Sequence, residues 1–101
     1  MSLEKKTEVL SVIDSMANKI IEISDIIHDN PELGSQEYRA VELLTSELGK
    51  HGFKVEKGLA GMDTAFKATL TGREGGPTIA LIAEYDALPE VGHACGHNII
   101  G

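Results

Sequence analysis

From Leu3 to about His28 the apolar residues Val9, Ile13, Met16, Ile20, Ile23 and Ile27 recur at alternating steps of four and three. That spacing lines side chains along one face of a helix. A stripe of this length demands a partner surface, so the segment is predicted to be a long amphipathic helix packed on a sheet or on a second helix. Heptad charge pairing of the coiled-coil kind is not evident. Asn30-Pro31 ends the helix, because proline lacks an N–H donor and disfavours helical geometry in the residue before it. His28 falls in the last turn, where a donor can satisfy terminal carbonyls, and a structural role is expected for it. After the turn Glu32-Leu33-Gly34, Ser35 is expected to cap a second helix. Its inward face would be Tyr38, Val41, Leu44, Thr45 and Leu48, and it would end between Gly49 and Gly52. The two helices form a predicted hairpin.

The hydrophobic period then shortens from helical to strand-like. Phe53 and Val55 alternate with Lys54 and Glu56, and Thr64 to Leu70 alternates again, so both read as strands. Thr71 to Pro77 is rich in glycine and reads as a hairpin connection. Thr78 to Ala83 is apolar on both faces, the pattern of a strand buried in the middle of a sheet. The expectation is an α/β fold: an N-terminal helical hairpin followed by strands of a mixed sheet. No internal repeat or linker divides residues 1–101, so one domain at most is expected.

Composition excludes several functions. The chain has 101 residues with 9 Lys+Arg against 16 Asp+Glu, a formal net charge of −7, whereas a nucleic-acid binder needs a basic patch to neutralise phosphates. No nucleic-acid partner is therefore expected. Uninterrupted apolar runs reach about five residues, far short of the roughly 20 that cross a bilayer, so no membrane association is expected. Glu8 and Asp14 follow Lys5-Lys6 before any apolar block forms, unlike a secretory signal. A single cysteine cannot form an intrachain disulfide, which fits a reducing compartment and a cytoplasmic location.

Chemistry is concentrated in Glu84 to Asn98. This segment holds three carboxylates, His93, His97 and the only cysteine, Cys95, and it follows the expected central strand, where open α/β sheets bind ligands. Cys95 and His97 flank Gly96, which allows a turn tight enough to face a thiolate and an imidazole toward one point. Zinc accepts both donors. His93 is either a third ligand or an orienting, substrate-facing group. Asp86 can ligate a metal, accept the free N–H of a metal-bound imidazole, or serve as a turn residue. Taken alone, a Cys-x-His pair arises often by chance.

Two motifs together resemble one family. Ile82-Ala-Glu-Tyr-Asp-Ala-Leu-Pro89 with Gly92-His-Ala-Cys-Gly-His-Asn98, and His28-Asp-Asn-Pro-Glu-Leu-Gly34 with Glu37, are similar to the two-metal amidohydrolase and aminoacylase branch of the metallopeptidase family. That family contains glutamate carboxypeptidase, hippurate hydrolase and aminobenzoyl-glutamate hydrolase. The resemblance implies that the chain is the N-terminal portion of a three-layer αβα catalytic domain. It implies Cys95 and His97 as metal ligands, Asp86 as support for a ligand, and two divalent ions, zinc or manganese, with cobalt or nickel as further candidates. It implies a small amide or dipeptide substrate and a homodimer for the whole protein. The general-base glutamate, further ligands and the dimerisation domain would lie beyond residue 101, so the 101-residue chain alone is expected to be inactive. The sequence departs from many relatives in having Glu84-Tyr85 in place of an Ala-Asp-Met type segment and in its short Asp86 to His93 interval. Glu84-Tyr85-Asp86 and that interval look closest to the subgroup acting on dipeptides and aminobenzoyl-glutamate. Two other readings compete: an acidic helical interaction module, and a thiol enzyme or redox sensor using Cys95.

Overall fold

The computed structural model describes residues 2–101. Helix α1 spans Leu3–Asp29, with Ser2 at its N-cap accepting from the Lys5 N–H at 3.2 Å. Its end is sealed by Asn30, whose side-chain amide donates to the Ile26 carbonyl at 2.8 Å and whose backbone N–H reaches Ile27. Asn30 thus does what the sequence reading assigned to His28, whose Nδ1 turns to Asp29 at 3.3 Å instead. Helix α2 spans Tyr38–Lys50. The expected helical hairpin is present, with α1 and α2 in contact and Lys19 of α1 within 4.0 Å of Glu47 of α2.

Ser35 does not cap α2. It sits in the left-handed region at φ 67°, and Glu37 takes the cap position without a side-chain bond to the helix. The first-turn donors are met from outside the helix: the Glu32 carboxylate accepts from Arg39 N–H and Ala40 N–H, each at 2.8 Å. A carboxylate at a helix N-terminus is favoured by both hydrogen bonding and the helix dipole. Val41 and Thr45 are buried as expected, with Ala40 beside them, whereas Tyr38 is exposed.

Strands β1 (Lys54–Lys57) and β2 (Phe66–Thr69) pair antiparallel, with Val55 opposite Ala68 and Lys57 opposite Phe66. The connection runs through a 3-10 turn at Leu59–Gly61, entered and left by glycines at positive φ, Gly58 at 73° and Gly61 at 77°. The hairpin therefore joins these two strands, and Thr71 to Pro77 is not its turn. Among the described residues the sheet has only these two strands, so it is antiparallel rather than mixed.

Thr78 to Ala83 is not a central strand. Ile79, Leu81 and Ile82 are 81%, 95% and 95% exposed, and no ladder includes them. A strand exists only by pairing, and here the segment pairs with neither β1 nor β2. The buried apolar residues are Ile27, Ala40, Val41 and Ala87. They mark a small core where the C-terminal third of α1, the start of α2 and the loop after residue 84 converge. Farther up α1 the stripe is uncovered, with Val9, Ile13 and Ile20 about half exposed. Among the described residues no helix is long and apolar enough to cross a membrane.

Candidate functional site

The loop from Glu84 onward is pinned to the turn between α1 and α2. Ala87 N–H donates to the Glu32 carbonyl at 2.7 Å, and Leu33 pairs with Ala87 in a parallel bridge. The chain then reverses over Pro89 to Val91, where Leu88 and Gly92 exchange backbone hydrogen bonds. Gly92, at φ 62° and ψ −136°, lies against Pro31. That conformation is open to glycine and costly for any residue with a Cβ. A 3-10 turn at His93–Cys95 follows, and Gly96 at φ 81° leads into the short helix α3, His97–Ile100. Asn98 anchors α3 to α1 by a 3.3 Å bond to Ser24.

Gly96 turns its two neighbours onto one residue. His97 Nδ1 is 2.7 Å from an Asp86 carboxylate oxygen, and the Cys95 thiol donates to the Asp86 carbonyl at 3.6 Å. The other ring nitrogen, Nε2, lies 3.2 Å from Glu84. The bond to Asp86 is the largest cause holding the His97 pKa above its ordinary value of 6.5; partial burial opposes it, and the charges of Asp86 and Glu84 add to it. Asp86 and His97 are about one-third and one-quarter exposed, whereas the Glu84 side chain is 70% exposed.

One donor atom each from Glu84, Asp86 and His97 lies within 4.8 Å of the others. Two carboxylates with an imidazole suit a divalent ion such as zinc or manganese. Cys95 stands beside this group without belonging to it. Sequence reasoning passed over Glu84 as a donor, although alternation in an extended segment puts residues 84 and 86 on one side. His93 is placed elsewhere: it is 8% exposed, stacks on His28 with ring centroids 6.3 Å apart, and neither ring nitrogen has a hydrogen-bond partner among the described residues.

A second set of contacts braces Glu84 to Asp86 from the strand side. The Tyr85 hydroxyl donates to the Thr64 carbonyl, the Thr64 hydroxyl donates to Glu37 at 3.0 Å, and Tyr85 packs on Phe66. Burial, reinforced by the charge of Glu37, raises the Tyr85 pKa, so the hydroxyl stays a donor.

No family model matches the chain. Individual proteins do. The chain is 34% identical to thermostable carboxypeptidase 2 of Saccharolobus solfataricus, over 88% of this chain and 28% of that protein. It is 34% identical to a p-aminobenzoyl-glutamate hydrolase polypeptide of Escherichia coli, over 88% of this chain and 22% of that protein. To the Xaa-Arg dipeptidase of Mus musculus it is 39% identical, over 87% of this chain and 22% of the relative. These relatives are by name hydrolases of peptide or amide bonds. These similarities match the amidohydrolase branch of the metallopeptidase family, the group that the two motifs of the chain resemble. The chain spans about a quarter of the length of the curated relatives it matches.

Proposed function

We propose that this chain is the N-terminal portion of a three-layer αβα catalytic domain, in a protein that hydrolyses an amide bond with the help of divalent metal. The substrate class is N-acyl amino acids, dipeptides or aminobenzoyl-glutamate-like compounds, for which the names of the relatives speak. The observation that carries the reading is the His97–Asp86 contact: Asp86 accepts from Nδ1 and fixes the ring, as carboxylates do for metal-binding imidazoles.

In this reading Cys95 and His97 are metal ligands, and Asp86 holds His97 so that Nε2 is its donor atom. Glu84, facing that nitrogen from an exposed position, either gives way or joins the ligand set. Cys95 and His97 would hold a divalent ion, one of two in the whole protein, zinc or manganese with cobalt or nickel as further candidates, and the chemistry it would supply is Lewis acidity toward the scissile carbonyl and water. A glutamate outside these residues would serve as the general base and return the proton to the leaving amine. The whole protein would be a cytoplasmic homodimer.

The test uses the longer protein. Purified and loaded with zinc or manganese, it should release amino acid from N-acyl amino acids or dipeptides, and Cys95→Ser and His97→Ala should each remove that activity while the fold survives. A variant keeping more than about a tenth of kcat/KM, a loss of under roughly 1.4 kcal/mol, would remove that residue from the ligand set.

A further inference from the structure

Glu32 occupies a junction that its part in the turn after Pro31 does not explain. Its two carboxylate oxygens take different backbone donors of α2, Arg39 N–H and Ala40 N–H, at 2.8 Å each. Its own carbonyl takes Ala87 N–H at 2.7 Å, and Ala87 is 3% exposed. The neighbouring residue on that strand-like segment is Asp86. One side chain thus locks the interhelix turn to α2, and the same residue's backbone locks the turn to the segment that carries the His97 partner. The turn approaches Asp86 closely on the other side as well: a Cβ placed on Gly34 would sit 3.5 Å from the second Asp86 carboxylate oxygen. Asn30 and Arg39 close the junction with a 2.6 Å bond.

From these contacts we infer that Glu32 is a positioning residue for the Asp86–His97 pair, acting through the Glu32 carbonyl to Ala87 bond. The inference rests on the reading of that pair as part of a metal site, and deepens it. The physical argument is one of freedom. Asp86 and Glu84 lie on a segment outside the β1–β2 ladder. Tyr85 braces it through Thr64 and Phe66, and the Glu32 carbonyl to Ala87 bond, within the Leu33–Ala87 bridge, fixes its register against the turn. That bond holds it only as firmly as the turn is held. Without the carboxylate, the turn keeps the Asn30 to Arg39 bond, its internal Gln36 N–H to Leu33 carbonyl bond and the packing of Pro31 on Gly92, none of which ties the Glu32 carbonyl to α2.

The experiment reads the pair directly in the metal-free 101-residue chain, with isotope-labelled histidine and nuclear magnetic resonance at a fixed pH. In the unaltered chain His97 Nδ1 should carry a hydrogen-bonded, downfield-shifted proton. Glu32→Ala should lose that resonance, or speed its exchange with water about tenfold or more, the factor expected when a bond of roughly 1.4 kcal/mol is lost. Glu32→Gln, which keeps one acceptor oxygen and is the milder change, should show a smaller effect of the same kind. Thr45→Ala, a buried substitution within α2 that removes a 2.6 Å bond to Val41, is the control: it should lower thermal stability while leaving the resonance in place. The proposal is overturned if both Glu32 variants fold and keep the His97 signature, or if Thr45→Ala abolishes it to the same extent at equal loss of stability. This readout involves neither metal nor substrate. Dependence of the signature on Glu32 in a chain whose longer form binds no metal would support the positioning role and sink the metallohydrolase reading alone.

Discussion

His97 presents Nδ1 to Asp86 at 2.7 Å while its Nε2 faces Glu84 at 3.2 Å. The ring is held between two carboxylates, one half-sheltered and one exposed. Asp86 is the stronger partner by distance, and its oxygen decides which nitrogen is left for other chemistry.

Replacing Asp86 by Asn should therefore remove the principal cause of the raised His97 pKa and bring it back toward 6.5. Removal of such an outer partner typically costs about 10 to 100-fold in metal affinity or activity. Titration of the longer protein with a chromogenic chelator measures the first quantity. Unchanged affinity together with unchanged rate would leave Asp86 as a turn residue.

A pH dependence of stability follows from the same contact. The folded pKa of His97 lies above its ordinary 6.5, so the folded state holds a proton that the unfolded chain releases first. The stabilisation from the pair is full below pH 6.5 and is lost as pH rises through the raised value. Urea unfolding of the metal-free chain at successive pH values should show this decline, and Asp86→Asn should flatten it. An equal slope in both proteins would mean that other groups set the profile. Metal binding should run the opposite way, tightening with pH as the competing proton leaves.

How far the fold could be read depends on where each residue's partner lies. The bounds of α1 follow from a local stripe and from Asn30-Pro31, and the observed helix, Leu3–Asp29, agrees. The cap of α2 escaped because its acceptor, Glu32, lies seven and eight residues from its donors; Ser35 stood at a plausible spacing but has left-handed backbone. The strand expected at Thr78 to Ala83 was inferred from apolar content alone, and content cannot supply the pairing partner a strand requires. At the site, Cys95 and His97 both reach Asp86, the thiol at its carbonyl and the imidazole at its carboxylate, but the clustered donors are Glu84, Asp86 and His97. Glu84 is not legible in the sequence because its role comes from lying opposite His97 Nε2.

Gly96 offers a sharper test of that convergence. Its φ of 81° belongs to the left-handed region, and a Cβ there would meet only Ile100, at 3.9 Å. Gly96→Ala therefore has room for the methyl group and pays in backbone geometry, about 1 to 2 kcal/mol. A lower melting temperature should be accompanied by weaker metal retention in the longer protein, since relief of the strain rotates Cys95 away from His97. Normal metal retention at reduced stability would show that the two side chains converge without help from this turn.

The exposed apolar surface makes a prediction for the 101-residue chain itself. Leu81 and Ile82 are each 95% exposed, in an extended segment without a ladder partner, and Leu10, Ile13, Ile20 and Ile21 of α1 are about half exposed. Unpaired backbone beside apolar side chains is a template for pairing with another chain, and contiguous apolar patches drive association. A formal charge of −7 opposes it by repulsion, so association should strengthen as salt screens that charge. Light scattering across a concentration series should show species larger than one chain, increasing at high ionic strength. Leu81→Lys should suppress them by adding charge to the unpaired segment, while Leu10→Lys reports on the helix face. If both variants associate as the unaltered chain does, these surfaces are not the cause, and a chain that stays monomeric throughout the series would show that neither face is adhesive.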